Sequence, residues 1–219
     1  MRPAAAGAVL GLAVAVGVPT AWQLNREPVA AGAPVEQVLP AAPAPAPPPA
    51  APGPADLPPV PLRDAAPTAA AVPAPARLLV PALGVDAPVD PVGVADDGQM
   101  QLPEDVSRVG WYRFGPEPGG AGSAVLAGHV DDADQGLGEL APLRGAEVGT
   151  EVEVTDSAGT ASRWRVVSRE VLHKQELPLD RLFARAGPPR LVLITCGGPF
   201  LPELGSYRDN VVVVAEPLA

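Results

Sequence analysis

The runs LVLITC at residues 191–196 and NVVVVAEP at residues 210–217 are the clearest structural signals in this 219-residue chain. Both are short and rich in β-branched side chains, which favours β-strands. Earlier stretches have the same character: RLLVPALGVDAPVDPVGV, SAVLAGHV, and EVEVTDSAGTASRWRVVSREVL, a predicted hairpin with its turn at residues 157–159. Only LPLDRLFARAG, residues 177–187, has a helical pattern, with Gly187 as its stop. Such a series of strands predicts an all-β chain folded as a closed or nearly closed barrel.

The first third of the chain has a different composition. An uncharged apolar stretch lies between Arg2 and Arg26 at the lower limit of membrane-spanning length, so residues 1–26 are predicted to be a signal anchor or a cleaved signal peptide. Residues 27–76 are dominated by Pro, Ala and Val, which predicts a disordered, extended spacer. A spacer of that length could hold a domain on the order of 100 to 150 Å from a bilayer. Residues 77–219 are long enough to form one globular domain.

Charge and cysteine content exclude several classes of function. The net charge of −10 argues against a nucleic-acid partner. One cysteine permits neither an intramolecular disulfide nor a zinc site built from paired cysteines. The acidic cluster Asp131, Asp132 and Asp134 lacks the ligand spacing and the glycine of a calcium loop, so we interpret it as a solvated loop. We expect no metal and no cofactor.

Cys196 is the first candidate for chemistry. In LITCGG it stands at the predicted end of a strand, where a thiol can point into a cleft, and Gly197 and Gly198 can turn the backbone and present amide donors to an oxyanion. Thr195 and both glycines are therefore candidates for orienting or binding a substrate. A lone cysteine in an apolar run is more often a buried structural residue, so its partners must decide.

Two residues are candidate partners of the thiol. His129, in VLAGHVDDAD, can supply the base or positive charge that a reactive thiol needs, and Asp131 could orient its imidazole. The other histidine, His173, is predicted to face solvent at a strand end. Arg208, the only basic residue after Cys196, could donate paired hydrogen bonds to a substrate carbonyl or to a tetrahedral intermediate.

In their order, GHVD, LITCGGPF and YRDNVVVVA resemble the motifs of the sortases, and TCGG resembles the actinobacterial group called class F. The resemblance covers most of residues 77–215 and includes LPEDVSRVGWYRFGPEPGGAGSAVLAGHV. It implies an eight-stranded sortase β-barrel with one or two short helices. It also implies a catalytic trio of His129, Cys196 and Arg208.

The resemblance further implies a cysteine transpeptidase of the cell membrane. Cys196 would attack the Thr carbonyl of an LPXTG-like sorting signal, and the thioacyl enzyme would pass its acyl group to a peptidoglycan-precursor amine or to water. The N-terminal segment would anchor an extracytoplasmic domain, or the protein would be secreted if that segment is cleaved. A catalytically inactive sortase-like binding module is the main alternative. An L,D-transpeptidase is disfavoured, because its cysteine typically follows Ser-x-Gly and precedes Arg.

Overall fold

The computed structural model describes residues 30–41 and 73–218. These residues form eleven strands, numbered β1 to β11 in chain order: Ala30–Gly32, Pro75–Val80, Val85–Val92, Val109–Tyr112, Ser123–Ala127, Asp131–Asp132, Gly136–Leu137, Glu151–Asp156, Ala161–His173, Arg190–Leu201 and Ser206–Pro217. They also form two one-turn helices, α1 (Val35–Val38) and α2 (Leu179–Leu182). Short 3₁₀ turns lie at Pro81–Leu83, Ala141–Gly145 and Lys174–Glu176.

Eight of these strands close into a barrel. Their order is β9-β11-β10-β5-β4-β3-β2-β8, and pairing between β8 and β9 closes the ring. Strand β1 adds to β9 from outside the ring, and β6 with β7 forms a separate hairpin. The predicted all-β, eight-stranded barrel with one or two short helices is confirmed.

The apolar runs of β10 and β11 are buried on both faces. Leu191, Leu193 and Val213 belong to the cluster that fills the barrel. Val192 and Val212 alternate with them and belong to a second buried cluster on the outside of the barrel. Because side chains alternate between the faces of a strand, an unbroken apolar run needs cover on each side.

Of the two local predictions, the hairpin is confirmed and the helix is wrong in length. The hairpin is present, since β8 pairs with β9 across the turn. The helix predicted over residues 177–187 is wrong in length, because α2 ends at Leu182. The residues after α2 pair with the start of β5 instead of continuing the helix: the amide of Ser123 donates to the carbonyl of Ala184. Gly187 therefore lies in a turn beyond the helix rather than at its stop.

Residues 30–41 pack against the barrel, although they fall inside the predicted spacer of residues 27–76. Val35 is fully buried there and Leu39 is 4% exposed. With Ala30 fixed on β9, the chain between Arg26 and Ala30 spans at most about 14 Å, far less than the reach expected of the whole spacer. Residues 1–29 and 42–72 lie outside the described residues. Neither helix in residues 30–41 and 73–218 has the length and hydrophobicity of a membrane span.

Candidate active site

Cys196 lies on β10 just beyond the point where β5 stops pairing with it. The parallel pairing of β5 and β10 ends at Ala127 and Ile194, whereas β11 continues alongside and places Asn210 opposite Cys196. One edge of β10 is therefore open beside the thiol, which is free and half-buried. A half-buried thiol at an open strand edge can meet a substrate, which a core cysteine cannot.

The strand does not end at the cysteine as the sequence predicted. It continues to Leu201, with a register shift between Gly197 and Phe200. Gly198 has φ +70°, and a Cβ atom there would lie 2.1 Å from a carboxylate oxygen of Asp209. Glycine is thus required for both the backbone conformation and the close approach of Asp209.

Two hydrogen bonds fix the cysteine segment to the histidine segment. The Thr195 hydroxyl donates to the carbonyl of Gly128 at 2.9 Å, and Thr195 is only 2% exposed. In the other direction, the amide of Gly128 donates to the carbonyl of Ile194 at 3.1 Å. Cys196 directly follows Thr195, and His129 directly follows Gly128. The contact of Gly128 with Ile194 and Thr195, called the Gly128 crossing below, therefore fixes the backbone immediately before both Cys196 and His129.

The imidazole of His129 is held by the segment that precedes β4. Its Nε2 lies 3.1 Å from the carbonyl oxygen of Pro103. Because a carbonyl only accepts, Nε2 carries the hydrogen and Nδ1 is the basic nitrogen of the neutral ring. Gly138 approaches the carbonyl of His129 so closely that a Cβ atom there would lie 2.3 Å from its oxygen. The β6–β7 hairpin thus packs tightly behind the histidine.

Arg208 is held by its neighbour in sequence. Its Nε and Nη2 donate to the two carboxylate oxygens of Asp209, each at 2.8 Å. The guanidinium lowers the pKa of Asp209 below its ordinary value, an effect that burial of the carboxyl opposes. Arg208 stands two residues before Asn210, so it shares a strand face with Cys196. The Nη1 edge of the guanidinium is left for a further acceptor.

Asp131 does not stand alone beside His129. Its carboxylate accepts a hydrogen bond from the Tyr207 hydroxyl, which ties β6 to β11. That bond, together with burial, raises the pKa of Tyr207. Asp132 accepts from two backbone amides of its own turn, which lowers its pKa. A role for Asp131 in orienting the imidazole stays a prediction.

Cys196 lines a groove of about 570 Å³. Its walls are mainly apolar, and Lys174 and Asn210 add polar groups. The Lys174 ammonium donates to the Ser206 hydroxyl at 2.8 Å. His129 adjoins the lining residue Gly128. The lining residues are Val94, Gly98, Gln99, Met100, Leu102, Tyr112, Ala127, Gly128, Lys174, Gln175, Leu177, Leu179, Phe183, Ile194, Thr195, Cys196 and Asn210.

Sequence reasoning missed three residues of the site: Tyr207, Asp209 and Asn210. The available signal was the polar group YRDN at the start of an apolar strand, where only the arginine was singled out. His173 is half-buried at the end of β9, opposite Asp209, and its ring accepts from the amide of Gln175. It therefore caps a turn near the site.

Comparisons with solved structures agree with the fold. Sortase A from Corynebacterium diphtheriae, a lid mutant, is 17% identical with a TM-score of 0.52 and alignment over 67% of this chain and 71% of that one. Sortase C-1 from Actinomyces oris is 21% identical with a TM-score of 0.50, and the alignment covers 65% of this chain and 73% of that one. Sortase C1 from Streptococcus suis is 16% identical with a TM-score of 0.52, and the alignment covers 66% of this chain and 73% of that one.

No curated protein sequence matches the chain. The family model of the sortase domain, in contrast, matches residues 78–218, which covers most of the chain and both strands that carry the site. The barrel, the open edge beside Cys196 and this match lead to one conclusion: the chain belongs to the sortase family.

Proposed function

We propose that this sortase is a cysteine transpeptidase of the class F group that cleaves an LPXTG-like sorting signal. Membership of the sortase family supports transpeptidation by a cysteine. The TCGG motif and the order of GHVD, LITCGGPF and YRDNVVVVA support the class F assignment. The mostly apolar groove that Cys196 lines suits an extended peptide with apolar side chains.

The observation that carries the proposal is the crossing of Gly128 with Ile194 and Thr195. Its hydrogen bonds of 2.9 and 3.1 Å bring the residues before Cys196 and His129 into direct contact beside the groove. A thiol and an imidazole that directly follow two hydrogen-bonded, adjoining residues suit nucleophilic catalysis, because the nucleophile and the base then keep a fixed relation.

Acylation uses all three proposed catalytic residues. The Cys196 thiol gives its proton to the imidazole of His129, and the resulting thiolate attacks the Thr carbonyl carbon of the sorting signal and forms a C–S bond. The carbonyl electron pair moves to oxygen, where the Nη1 edge of Arg208 stabilises the charge. Collapse of that intermediate breaks the C–N bond, and His129 gives a proton to the departing amine of Gly. The product is a thioacyl enzyme.

Release repeats these steps with a new nucleophile. An amine, such as that of a peptidoglycan precursor, loses a proton to His129 and attacks the thioester carbon. The C–S bond breaks, the thiolate of Cys196 leaves, and a new amide bond attaches the client protein to the cell wall. Water as the nucleophile gives hydrolysis instead. These steps need no metal and no cofactor.

Residues 1–26 are proposed to anchor the chain in the cell membrane with its domain outside the cytoplasm. The support is the uncharged apolar stretch between Arg2 and Arg26. Cleavage of this segment would release the protein instead. Because Ala30 is fixed on β9, an anchor would hold the domain close to the membrane rather than at the end of a long spacer.

The test is to incubate the full chain, in detergent, with a library of LPXTG-like peptides and an amine acceptor, and to identify products by mass spectrometry. We expect cleavage between Thr and Gly and a new amide with the acceptor. A scrambled peptide is the matched control. Binding of the peptides without cleavage would instead identify an inactive sortase-like binding module.

A further inference from the structure

Residues 30–41 form a strap that covers the outside of the barrel. Val35 is fully buried and Leu39 is 4% exposed, and both pack in the cluster that contains Val192, Val212 and Val214. These three valines point away from the barrel interior and are themselves fully buried. The strap therefore supplies the outer cover that the apolar runs of β10 and β11 require.

The strap is fastened to β9 by specific polar contacts. The buried Ser168 hydroxyl donates to the carbonyl of Ala33 at 2.6 Å, and the amide of Val35 donates to a carboxylate oxygen of Glu170 at 3.0 Å. Gly32 has φ +85°, and a Cβ atom there would lie 2.3 Å from the carbonyl oxygen of Val167. Such contacts fix a single register of the strap on β9.

The end of the strap holds the segment that contains α2. The Arg181 guanidinium, on α2, donates to the carbonyl of Pro40 at 3.1 Å. The Arg190 guanidinium, at the start of β10, donates to the carbonyl of Val38 at 2.7 Å. Leu182, the buried residue of α2, belongs to the same apolar cluster as Leu39. α2 is thus pinned to the barrel partly through the strap.

The segment pinned in this way is a wall of the groove. Leu179 and Phe183, on either side of Leu182 in the sequence, line the same groove as Cys196. The Phe183 ring packs edge-on against the Tyr112 ring with centroids 5.0 Å apart. A one-turn helix has little stability of its own, so its position depends on what it packs against.

We infer that the strap is a positioning element of the substrate groove: it holds α2 so that Leu179 and Phe183 form the apolar wall on which the substrate peptide packs. This inference rests on the proposed function for its substrate. The hydrogen bonds of the Gly128 crossing join Gly128 to Ile194 and Thr195 and include no residue of the strap, so loss of the strap weakens peptide binding and leaves these bonds in place.

The test compares two variants of the full chain, each with one new aspartate in the strap: one at Leu39, directly after α1, and one at Gln37, within α1. Leu39→Asp places a carboxylate in the apolar cluster, whereas Gln37→Asp places one at an exposed position. We expect Leu39→Asp to raise KM for the sorting peptide about tenfold with kcat changed less than about twofold, and Gln37→Asp to change neither. Leu39→Ala gives a milder form of the same effect if Leu39→Asp folds poorly.

A second measurement does not depend on activity. Hydrogen exchange of the Leu182 and Phe183 amides, which donate to Pro178 and Leu179, should speed up about tenfold or more in Leu39→Asp. The amides of β10 near Cys196 should keep their wild-type rates. Equal acceleration throughout the barrel would show a general loss of stability and would overturn the positioning role.

Rescue in trans completes the test. Excess synthetic peptide with the sequence of residues 30–41, AAGAPVEQVLPA, should restore slow exchange at α2 and lower the KM of Leu39→Asp. The same peptide with Asp in place of Leu39 should do neither. Wild-type KM and unchanged exchange in Leu39→Asp would refute the inference. If the wild-type chain cleaves no peptide, the proposed function fails while exchange at α2 still decides the role of the strap.

Discussion

Replacing Thr195 with Val removes one hydrogen bond and little else. Valine has nearly the shape of threonine, so the packing of this 2% exposed side chain is kept. The carbonyl of Gly128, itself buried, then loses the partner that it has at 2.9 Å. An unsatisfied buried acceptor costs about 1 to 3 kcal/mol, which is the expected loss in the free energy of unfolding.

The same substitution should affect catalysis more than its stability cost suggests. Without the Thr195 bond, Gly128 keeps only its amide bond to Ile194, so the segment that leads into His129 is less fixed. A displacement near 1 Å can cost about a hundredfold in rate, and we expect kcat/KM to fall about 10- to 100-fold. Peptide cleavage and urea denaturation measure the two effects. Thr195→Ser keeps the hydroxyl and is the matched control.

Wild-type kcat/KM together with wild-type stability in Thr195→Val would show that the Thr195 hydrogen bond does not position His129. Equal losses in Thr195→Ser and Thr195→Val would lead to the same conclusion, because the methyl group rather than the hydroxyl would then matter.

Three further predictions concern Arg208 and its surroundings. Arg208→Lys should lower kcat about 100-fold in the cleavage assay, since a point charge cannot serve Asp209 and an oxyanion together. Because the folded-state pKa of Asp209 is lowered, its stabilising effect is complete above its unfolded pKa, about 3.9, and is lost as the pH falls through the folded value. The stability gap between wild type and Asp209→Asn in denaturant titrations should therefore be constant from about pH 7 to 5 and shrink below about 4. Gly198→Ala should destabilise the chain in the same assay by about 1 kcal/mol or more, because of its φ of +70° and the carboxylate 2.1 Å from the new Cβ.

Each of these predictions has a result that contradicts it. Wild-type turnover in Arg208→Lys would assign oxyanion stabilisation to other donors. A stability gap for Asp209→Asn that does not change with pH would mean that the Arg208 pair contributes nothing to folding. Unchanged stability in Gly198→Ala would mean that the register shift of β10 relaxes without cost.

The barrel could be predicted from the sequence because its signals are local. The β-branched runs at residues 191–196 and 210–217 favour strands through their local sequence alone, and the turn residues at 157–159 indicate a hairpin. The helix over residues 177–187 was overestimated, because pairing of Ala184 with the start of β5 is a contact that no local pattern encodes.

The strap could not be predicted from its composition. AAGAPVEQVLPA contains four alanines and two prolines, so it resembles the predicted spacer around it, and the burial of Val35 and Leu39 is visible only in the fold. An indirect signal was present elsewhere: VVVV in β11 does not alternate, so its outer face needs a cover. The identity of that cover is a long-range property that becomes visible only in the folded chain.

The candidate site was predicted in its motifs and incompletely in its contacts. Cys196 and His129 follow recognisable apolar runs, so their segments could be singled out. The Asp209 carboxylate that holds Arg208 depends on Gly198 having no side chain, and the bond from Tyr207 to Asp131 joins residues 76 positions apart. Contacts of this kind depend on strand register, which was not known in advance.

The central claim is that Cys196 is the nucleophile of a sorting-signal transpeptidase. Its most direct test is to mix the full chain with an LPXTG-like peptide without an amine acceptor, quench with acid, and locate any adduct by intact-protein and peptide mass spectrometry. The prediction is an acyl adduct on Cys196 that added amine removes, and neither adduct nor cleavage in Cys196→Ala. Cleavage by Cys196→Ala at the wild-type rate, or an adduct on another residue, would contradict it.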